Sequence, residues 1–282
     1  MELPFNIDLK NKVVVITGAG GVICSYLAKA IALCNARVAL LNRTKEKSDK
    51  VAEEIISAGG IAKSYKCNVT NKEDLEKVHN EILTDFGKCD ILINGAGGNH
   101  PSATTDNEYA SNEDDKKDIK TFFDLDEEGI NFVFDLNFLG TLLPCQVFSR
   151  DMLGRSGCSI LNISSMAAYL PLTKTPAYSA AKAGITNFTK WLAVHFSHVG
   201  IRVNAIAPGF FRTAQNESLL FNLDGTPTPR TGKILAATPM GEFGRLDDLV
   251  GPTLFLLSSE ASRFVTGVCI PIDGGFSSYS GV

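Results

Sequence analysis

Two kinds of apolar patterning alternate along most of this chain, and few folds satisfy that alternation. Short β-branched runs recur at 12–17 (KVVVIT), 37–42 (RVALLN), 61–67, 90–94 (DILIN), 158–164 (CSILNIS), 201–207 (IRVNAIA) and 268–272. Runs of four to eight apolar residues with few polar interruptions read as strands buried on both faces. Between them, 22–34, 45–58, 72–86, 130–152, 178–199 and 246–258 carry apolar residues at helical spacing. Cap signals punctuate the pattern: Thr70 and Asn71 precede Glu73 and Asp74, and Gly59-Gly60 follows the second helix. Alternation of this length demands βαβ crossovers. The expected fold is α/β: a Rossmann-like, doubly wound, seven-stranded parallel sheet with helices on both faces.

Composition narrows the function classes. With 44% hydrophobic residues the 282-residue chain can bury a core, which excludes disorder. Lys plus Arg number 27 against 31 Asp plus Glu, so a nucleic-acid partner is not expected. No apolar run is read as reaching the ~18–20 residues of a membrane span, and residues 1–12 lack a signal-peptide pattern. The expectation is one soluble, cytoplasmic domain over 1–282. A polar insertion at about 97–126 and a substrate loop at about 208–239 interrupt its rhythm. Residues 113–118 (EDDKKD) read as solvated surface. Seven cysteines without a CxxC pair, mostly inside apolar runs, read as buried thiols and not as a disulfide framework.

Three places carry chemistry. After the first strand comes Thr17-Gly18-Ala19-Gly20-Gly21-Val22-Ile23-Cys24. A glycine-rich strand-to-helix turn lets backbone N–H groups approach a pyrophosphate, and the helix dipole adds to this. Ordinary tight turns also use glycines, so it is the position in the first βα unit that favours a dinucleotide. Tyr178 and Lys182, four apart on a helix, share one face. The ammonium is expected to lower the tyrosine pKa from about 10, which suits proton exchange at a carbonyl or alcohol. A surface pair has the same spacing, and the company of Ser165 at a strand end and Asn137 in mid-helix argues for chemistry. His195 and His198 have no carboxylate or cysteine nearby, and no metal site is expected.

With Thr17-Gly18, Asn94-Gly95-Ala96-Gly97, Asn137, Ser165, Tyr178, Lys182, Pro208-Gly209 and Asp273-Gly274-Gly275, the chain resembles the short-chain dehydrogenase/reductase family over almost its whole length. The resemblance implies a nicotinamide-dependent oxidoreductase with Asn137, Ser165, Tyr178 and Lys182 as a catalytic tetrad. Tyr178 is then the general acid/base and Ser165 bonds the reacting oxygen. Lys182 holds the nicotinamide ribose and tunes Tyr178, while Asn137 anchors a water that relays protons to Lys182. Cofactor contacts are expected at Gly18, Gly20, Gly21, Val22, Ile23, Asn42, Arg43, Asn68, Val69, Asn94, Gly95, Ala96, Tyr178, Lys182, Pro208, Gly209 and Thr213. The resemblance also implies a homotetramer or homodimer, formed through the helices at 130–152 and 178–199 and the C-terminal strand region.

Departures from the family pattern are informative. Val22 and Cys24 stand where the family turn has glycines, and bulk at 24 is expected to widen the helix–strand contact. Asn68 stands where members often carry Asp. At the end of the second strand an acid would chelate the adenosine ribose of NAD(H); Asn42-Arg43 offers none, which favours NADP(H) and leaves NAD(H) possible.

The small-molecule substrate is suggested by further resemblance. The long Asn94–Asn137 separation, Gly98-Asn99-His100-Pro101, the opening Leu3-Pro4-Phe5, the turn through Cys24 and the tail from Gly274 resemble one branch of the family. That branch interconverts a keto-sugar acid and an aldonic acid, D-fructuronate and D-mannonate, a reaction usually coupled to NAD. Asn99, His100, Arg212 and Gln215 are candidate substrate contacts, with Arg212 or His100 pairing the carboxylate. Loop-capping and surface roles are the plainer alternatives for these two. A gluconate 5-dehydrogenase-like or 3-oxoacyl-carrier-protein reductase-like enzyme, or a non-catalytic cofactor sensor, are the competing functions.

Overall fold

A computed structural model describes residues 6–213 and 217–281. Seven strands form: β1 (Val13–Thr17), β2 (Arg37–Asn42), β3 (Ile61–Lys66), β4 (Ile91–Asn94), β5 (Cys158–Ile163), β6 (Ile201–Pro208) and β7 (Cys269–Ile272). All pair in parallel, in the order β3-β2-β1-β4-β5-β6-β7. The expected architecture is therefore observed, with strand ends within two residues of the sequence reading. The order reverses between β1 and β4, and at such a switch point the connecting loops part and leave a crevice.

The strand period of two sorts β1 into two faces. Val14 and Ile16 pack on Leu27 and Ile31 of α1 (Val22–Leu33), Val51 and Ile55 of α2 (Lys45–Ser57), and Leu256. Val13 and Val15 pack on the other side with Leu75 and Ile82 of α3 (Lys72–Asp85), Phe148 and Leu192. Asn71 caps α3 by accepting from the Asp74 N–H at 3.0 Å, and Gly59 closes the α2 end at φ +84°.

The helix expected at 130–152 runs from Glu127 to Met152 in pieces. α4 (Glu127–Phe134) leads into a π-helical turn, Asp135–Leu139, then α5 (Gly140–Phe148) and a 3₁₀ turn, Ser149–Met152. This 26-residue stretch is long and apolar enough to cross a membrane, which corrects the sequence reading, although half of its most apolar window is buried in the fold. α6 (Pro176–His195), α7 (Glu217–Leu220), α8 (Pro229–Ala236), α9 (Val250–Leu257) and α10 (Ser259–Ser262) complete the helices described. His195, at the end of α6, stacks on Trp191 with ring centres 4.8 Å apart.

The 97–126 insertion holds three 3₁₀ turns, at Pro101–Ala103, Asp114–Lys116 and Phe122–Asp124. Its charged cluster is not wholly solvated. Asp114 is buried, accepting from the Asn107 amide and the Ser111 N–H, each at 2.8 Å, so one carboxylate organises the loop from inside. Cys24, Cys67, Cys89, Cys145 and Cys158 are buried, Cys34 and Cys269 half-buried, and all seven are free thiols.

Candidate active site

The crevice forms where β1 and β4 part. Thr17 Oγ1 accepts from the Gly95 N–H at 3.1 Å and the Ala96 N–H at 3.3 Å, tying the two strand ends together. Gly18 then turns at φ +65°, and a Cβ there would stand 2.8 Å from the Ala96 backbone, so only glycine fits. A Cβ on Gly20 would stand 2.6 Å from Lys47 Cβ. α1 starts after Gly21, which offers its first-turn N–H groups no side-chain cap and leaves these donors for an anion. The resulting groove is about 430 Å³. Gly18, Gly20, Gly21, Asn42, Arg43, Asn68, Val69, Gly95 and Ala96 line it, as expected, and Phe132 and Leu136 form a wall that the sequence reading missed.

Other expected contacts lie elsewhere. Val22 and Ile23 begin α1 and do not line the groove. Asn94 is buried, its amide donating to Asn162 Oδ1 at 2.9 Å, and Asn162 donates in turn to Thr189 Oγ1 at 2.9 Å. That ladder from β4 through β5 to α6 fixes the register of α6 against the sheet. Pro208 ends β6, and Gly209 lies so near Asp273 that a Cβ would stand 2.6 Å from its Cα. Thr213 lines a separate cleft with Tyr26 and Arg212. The expected widening at Cys24 is offset by Gly95: a Cβ on Gly95 would stand 2.0 Å from Cys24 Sγ. The small residue has moved from the helix to the facing strand end.

The tetrad residues, Tyr178 and Lys182 included, do not line the groove themselves but meet at its edge behind Gly97. Ser165 follows β5 in extended conformation and its Oγ accepts from the Ala167 N–H at 3.2 Å. Tyr178 and Lys182 lie one turn apart on α6, with the ammonium 5.7 Å from the phenol ring centre. Lys182 is buried, donates to the Ile163 carbonyl at 2.9 Å, and burial pulls its pKa down to about 8. The phenol moves in the direction opposite to expectation: burial raises it, and the hydrogen bond with Ser165 works against that. The ammonium was expected to set the direction, whereas desolvation of the phenol itself is the larger effect.

Asn137 sits in the π-helical turn, a device that opens the regular hydrogen-bond ladder and recurs at functional sites. Its amide donates to Gly98 O and Val133 O, each at 2.7 Å, and Oδ1 accepts from the Gly98 N–H at 3.2 Å. The side chain thus grips Gly98 at both its N–H and its carbonyl. A Cβ on Gly97 would stand 2.8 Å from Asn137 Oδ1 and 3.1 Å from Lys182 Nζ, so the backbone passes close to both.

The expected substrate residues do not assemble. Arg212 forms a two-pronged ion pair with Glu217, the longer contact at 3.0 Å, and lies 4.4 Å over the Phe221 ring. His100 Nδ1 accepts from the Ser102 N–H at 3.2 Å, capping the first 3₁₀ turn, and its ring packs on Phe132. Asn99 donates to Thr104 Oγ1 at 2.8 Å. Gln215 lies outside the described residues, as does the Leu3-Pro4-Phe5 opening.

A dinucleotide fits these donors and spaces. Glycines admit the backbone to a pyrophosphate, and Lys182 spends one of its three N–H donors on Ile163, leaving others for ribose hydroxyls. Fold and site together define a class, and the short chain dehydrogenase family model matches residues 12–222. The chain belongs to the short-chain dehydrogenase/reductase family and is a nicotinamide-dependent oxidoreductase. It is 59% identical over 282 residues to an uncharacterized oxidoreductase of Haemophilus influenzae, covering 100% of this chain and 99% of that one. A crystal structure of a candidate D-mannonate oxidoreductase from Haemophilus influenzae with bound NAD superposes with a TM-score of 0.95 at 59% identity, covering 100% of both chains. A 3-oxoacyl-[acyl-carrier-protein] reductase of Synechocystis is 31% identical, covering 95% and 97%.

The expected preference for NADP(H) gains no support. Asn42 is committed within the turn, accepting from the Gly20 N–H at 3.3 Å and donating to Thr44 O at 2.7 Å, and Arg43 is exposed at the groove margin.

Proposed function

We propose that this enzyme interconverts D-fructuronate and D-mannonate with NAD(H). The observation that carries the reading is the cluster of Tyr178, Ser165 and Lys182 behind Gly97 of the dinucleotide groove, in a chain so similar to the NAD-bound relative. Gly18, Gly20 and Gly21 would hold the pyrophosphate, Asn42 and Asn68 the adenosine end, and Lys182 the nicotinamide ribose. When bound, the nicotinamide supplies or accepts the hydride.

The chain's own residues handle the oxygen and the proton. Ser165 orients the substrate oxygen toward Tyr178 by hydrogen bonding. In reduction, Tyr178 Oη gives its proton to that oxygen; in oxidation it takes one back. Because burial raises the phenol, Tyr178 carries its proton at neutral pH, and giving it up in reduction requires Lys182 to stabilise the phenolate left behind. Asn137 positions Gly98 and with it the start of the insertion. Copies of the chain are proposed to associate through α4, α5 and α6, where Phe134, Trp191 and Val194 expose apolar side chains, and sedimentation would report the assembly.

The test is a panel of keto-acids and keto-sugars assayed with NADH and NADPH by absorbance of the reduced cofactor. D-Fructuronate with NADH should give the highest kcat/KM. A higher value for an acyl thioester, a neutral ketose or NADPH overturns the corresponding part of the proposal.

A further inference from the structure

A second cavity, of about 350 Å³, opens at the end of the sheet opposite the dinucleotide groove, where β1, β2 and β4 begin. Lys10, Lys12, Arg37, Lys88 and Arg155 line it together with one carboxylate, Asp90. The local chain explains the convergence. Leu9 O accepts from the Lys12 N–H at 2.9 Å, closing a turn in which Asn11 takes φ +66°, a left-handed conformation that asparagine tolerates. The turn brings Lys10 and Lys12 to the cavity, and the Asn11 carbonyl accepts from Arg37 Nη2 at 3.2 Å. Gly87, at φ +94°, leads the chain from the end of α3 to Lys88.

The acids around these cations are already engaged. Asp90 is buried: its Oδ2 accepts from the Val13 N–H at 2.9 Å, and its Oδ1 from Arg155 Nη2 at 2.5 Å, with Lys12 Nζ 3.7 Å away. Glu260, also within electrostatic reach of Lys12, accepts from the Ser258 and Ser259 hydroxyls. Asp8, within reach of Lys10, accepts from the Lys10 N–H and the Asn35 amide, each at 3.0 Å. Asp151, within reach of Lys88, is bonded to His79 and the Cys89 N–H. Asp85, beside the lining residue Phe86, is paired with Lys63. Each cation but Arg37 thus has an acid to offset it. Among the described residues Arg37 forms no ion pair, and its buried Nε has no hydrogen-bond partner. A buried donor of this kind costs free energy until a ligand meets it.

We propose that this cavity binds a small phosphate-bearing anion, with Arg37, Lys10 and Lys88 as its ligands. The planar guanidinium fork matches the oxygens of a phosphate, and the two ammoniums are point charges that a second anionic group can use. The volume lies within the range of small-molecule sites. The length of β1 separates the cavity from the turn at Gly18, so the anion and the dinucleotide occupy different sites. The proposal does not depend on which carbonyl the enzyme reduces.

The test titrates inorganic pyrophosphate into the NADH-saturated enzyme at low salt, read by calorimetry; bound NADH keeps the probe out of the dinucleotide groove. The parent should bind one equivalent, and its Tm should rise with pyrophosphate concentration. Arg37→Met should raise Kd about 10- to 100-fold, the loss expected for a charge-assisted hydrogen bond. Arg37→Lys should recover part of that loss, because charge remains and the planar fork does not. Lys88 is exposed, so Lys88→Met should leave the fold intact while raising Kd about fivefold. Lys233→Met, outside the cavity, should change nothing. Malonate, a dicarboxylate of lower charge, should bind at least about tenfold more weakly than pyrophosphate. Binding that is absent or does not saturate overturns the site. So does a Kd that Arg37→Met or Lys88→Met leaves unchanged, or one that Lys233→Met weakens equally. Tighter binding of malonate overturns the assignment to phosphate.

Discussion

The dinucleotide groove and the ionic bridge between the insertion and α8 are built in opposite ways. The groove is made of glycine backbone in close approach to its neighbours: Gly18 against the Ala96 backbone, Gly95 against the Cys24 thiol, Gly97 against the Asn137 and Lys182 side chains. The bridge is made of long charged side chains, with Lys233 67% exposed where it meets Glu108. Close-packed surfaces lose a few kcal/mol to a single added methyl, whereas an exposed ion pair contributes about 0–1 kcal/mol. The groove is therefore rigid and intolerant of substitution, and the bridge is open to replacement.

Lys182→Met should give the largest effect and separates chemistry from stability. Turnover should fall by a factor of about 100 or more. The fold should become more stable at pH 7, because burying an ammonium whose pKa is held near 8, against an ordinary 10.5, costs up to about 3 kcal/mol. The sign follows from proton uptake: between pH 8 and 10.5 the unfolded chain binds more protons, so the parent gains stability as pH rises. The variant's advantage should be full below pH 8, shrink up to 10.5 and vanish above. An unfolding series in which the variant is less stable at every pH would break this part of the account.

Gly95→Ala should come next, destabilising the protein by about 1–3 kcal/mol through overlap with Cys24 Sγ. Cys24→Gly in the same chain should return most of that loss, a coupling that a double-mutant cycle reads directly. Additive losses would show that the two residues are not interlocked. On the bridge, Glu108→Gln should change unfolding free energy by less than about 1 kcal/mol, and a larger loss would break the contrast with the groove.

The same contrast explains what the sequence disclosed. Strands and helices were legible because burial on both sheet faces writes continuous apolar runs, and Tyr178 and Lys182 were legible because one helical turn brings them together. Local spacing could not reveal that the phenol itself is desolvated, so the shift at Tyr178 was read in the wrong direction. Nor could it reveal the π-helical turn at Asp135–Leu139, across which the apolar stripe continues. The Glu108–Lys233 bridge joins residues 125 apart, and the Cys24–Gly95 exchange needs two distant positions to be seen together. The pairing of Arg212 was legible too, because Glu217 lies five residues on, close enough in the chain to signal a local partner.

The account stands or falls on proton transfer at one phenol. NADH consumption with D-fructuronate, measured for the parent and for Tyr178→Phe alongside NADH binding by fluorescence, tests it most directly. The parent should turn over, and the variant should bind NADH with unchanged affinity while losing activity by at least about 100-fold. Comparable turnover by both proteins would place the acid/base elsewhere and contradict the mechanism.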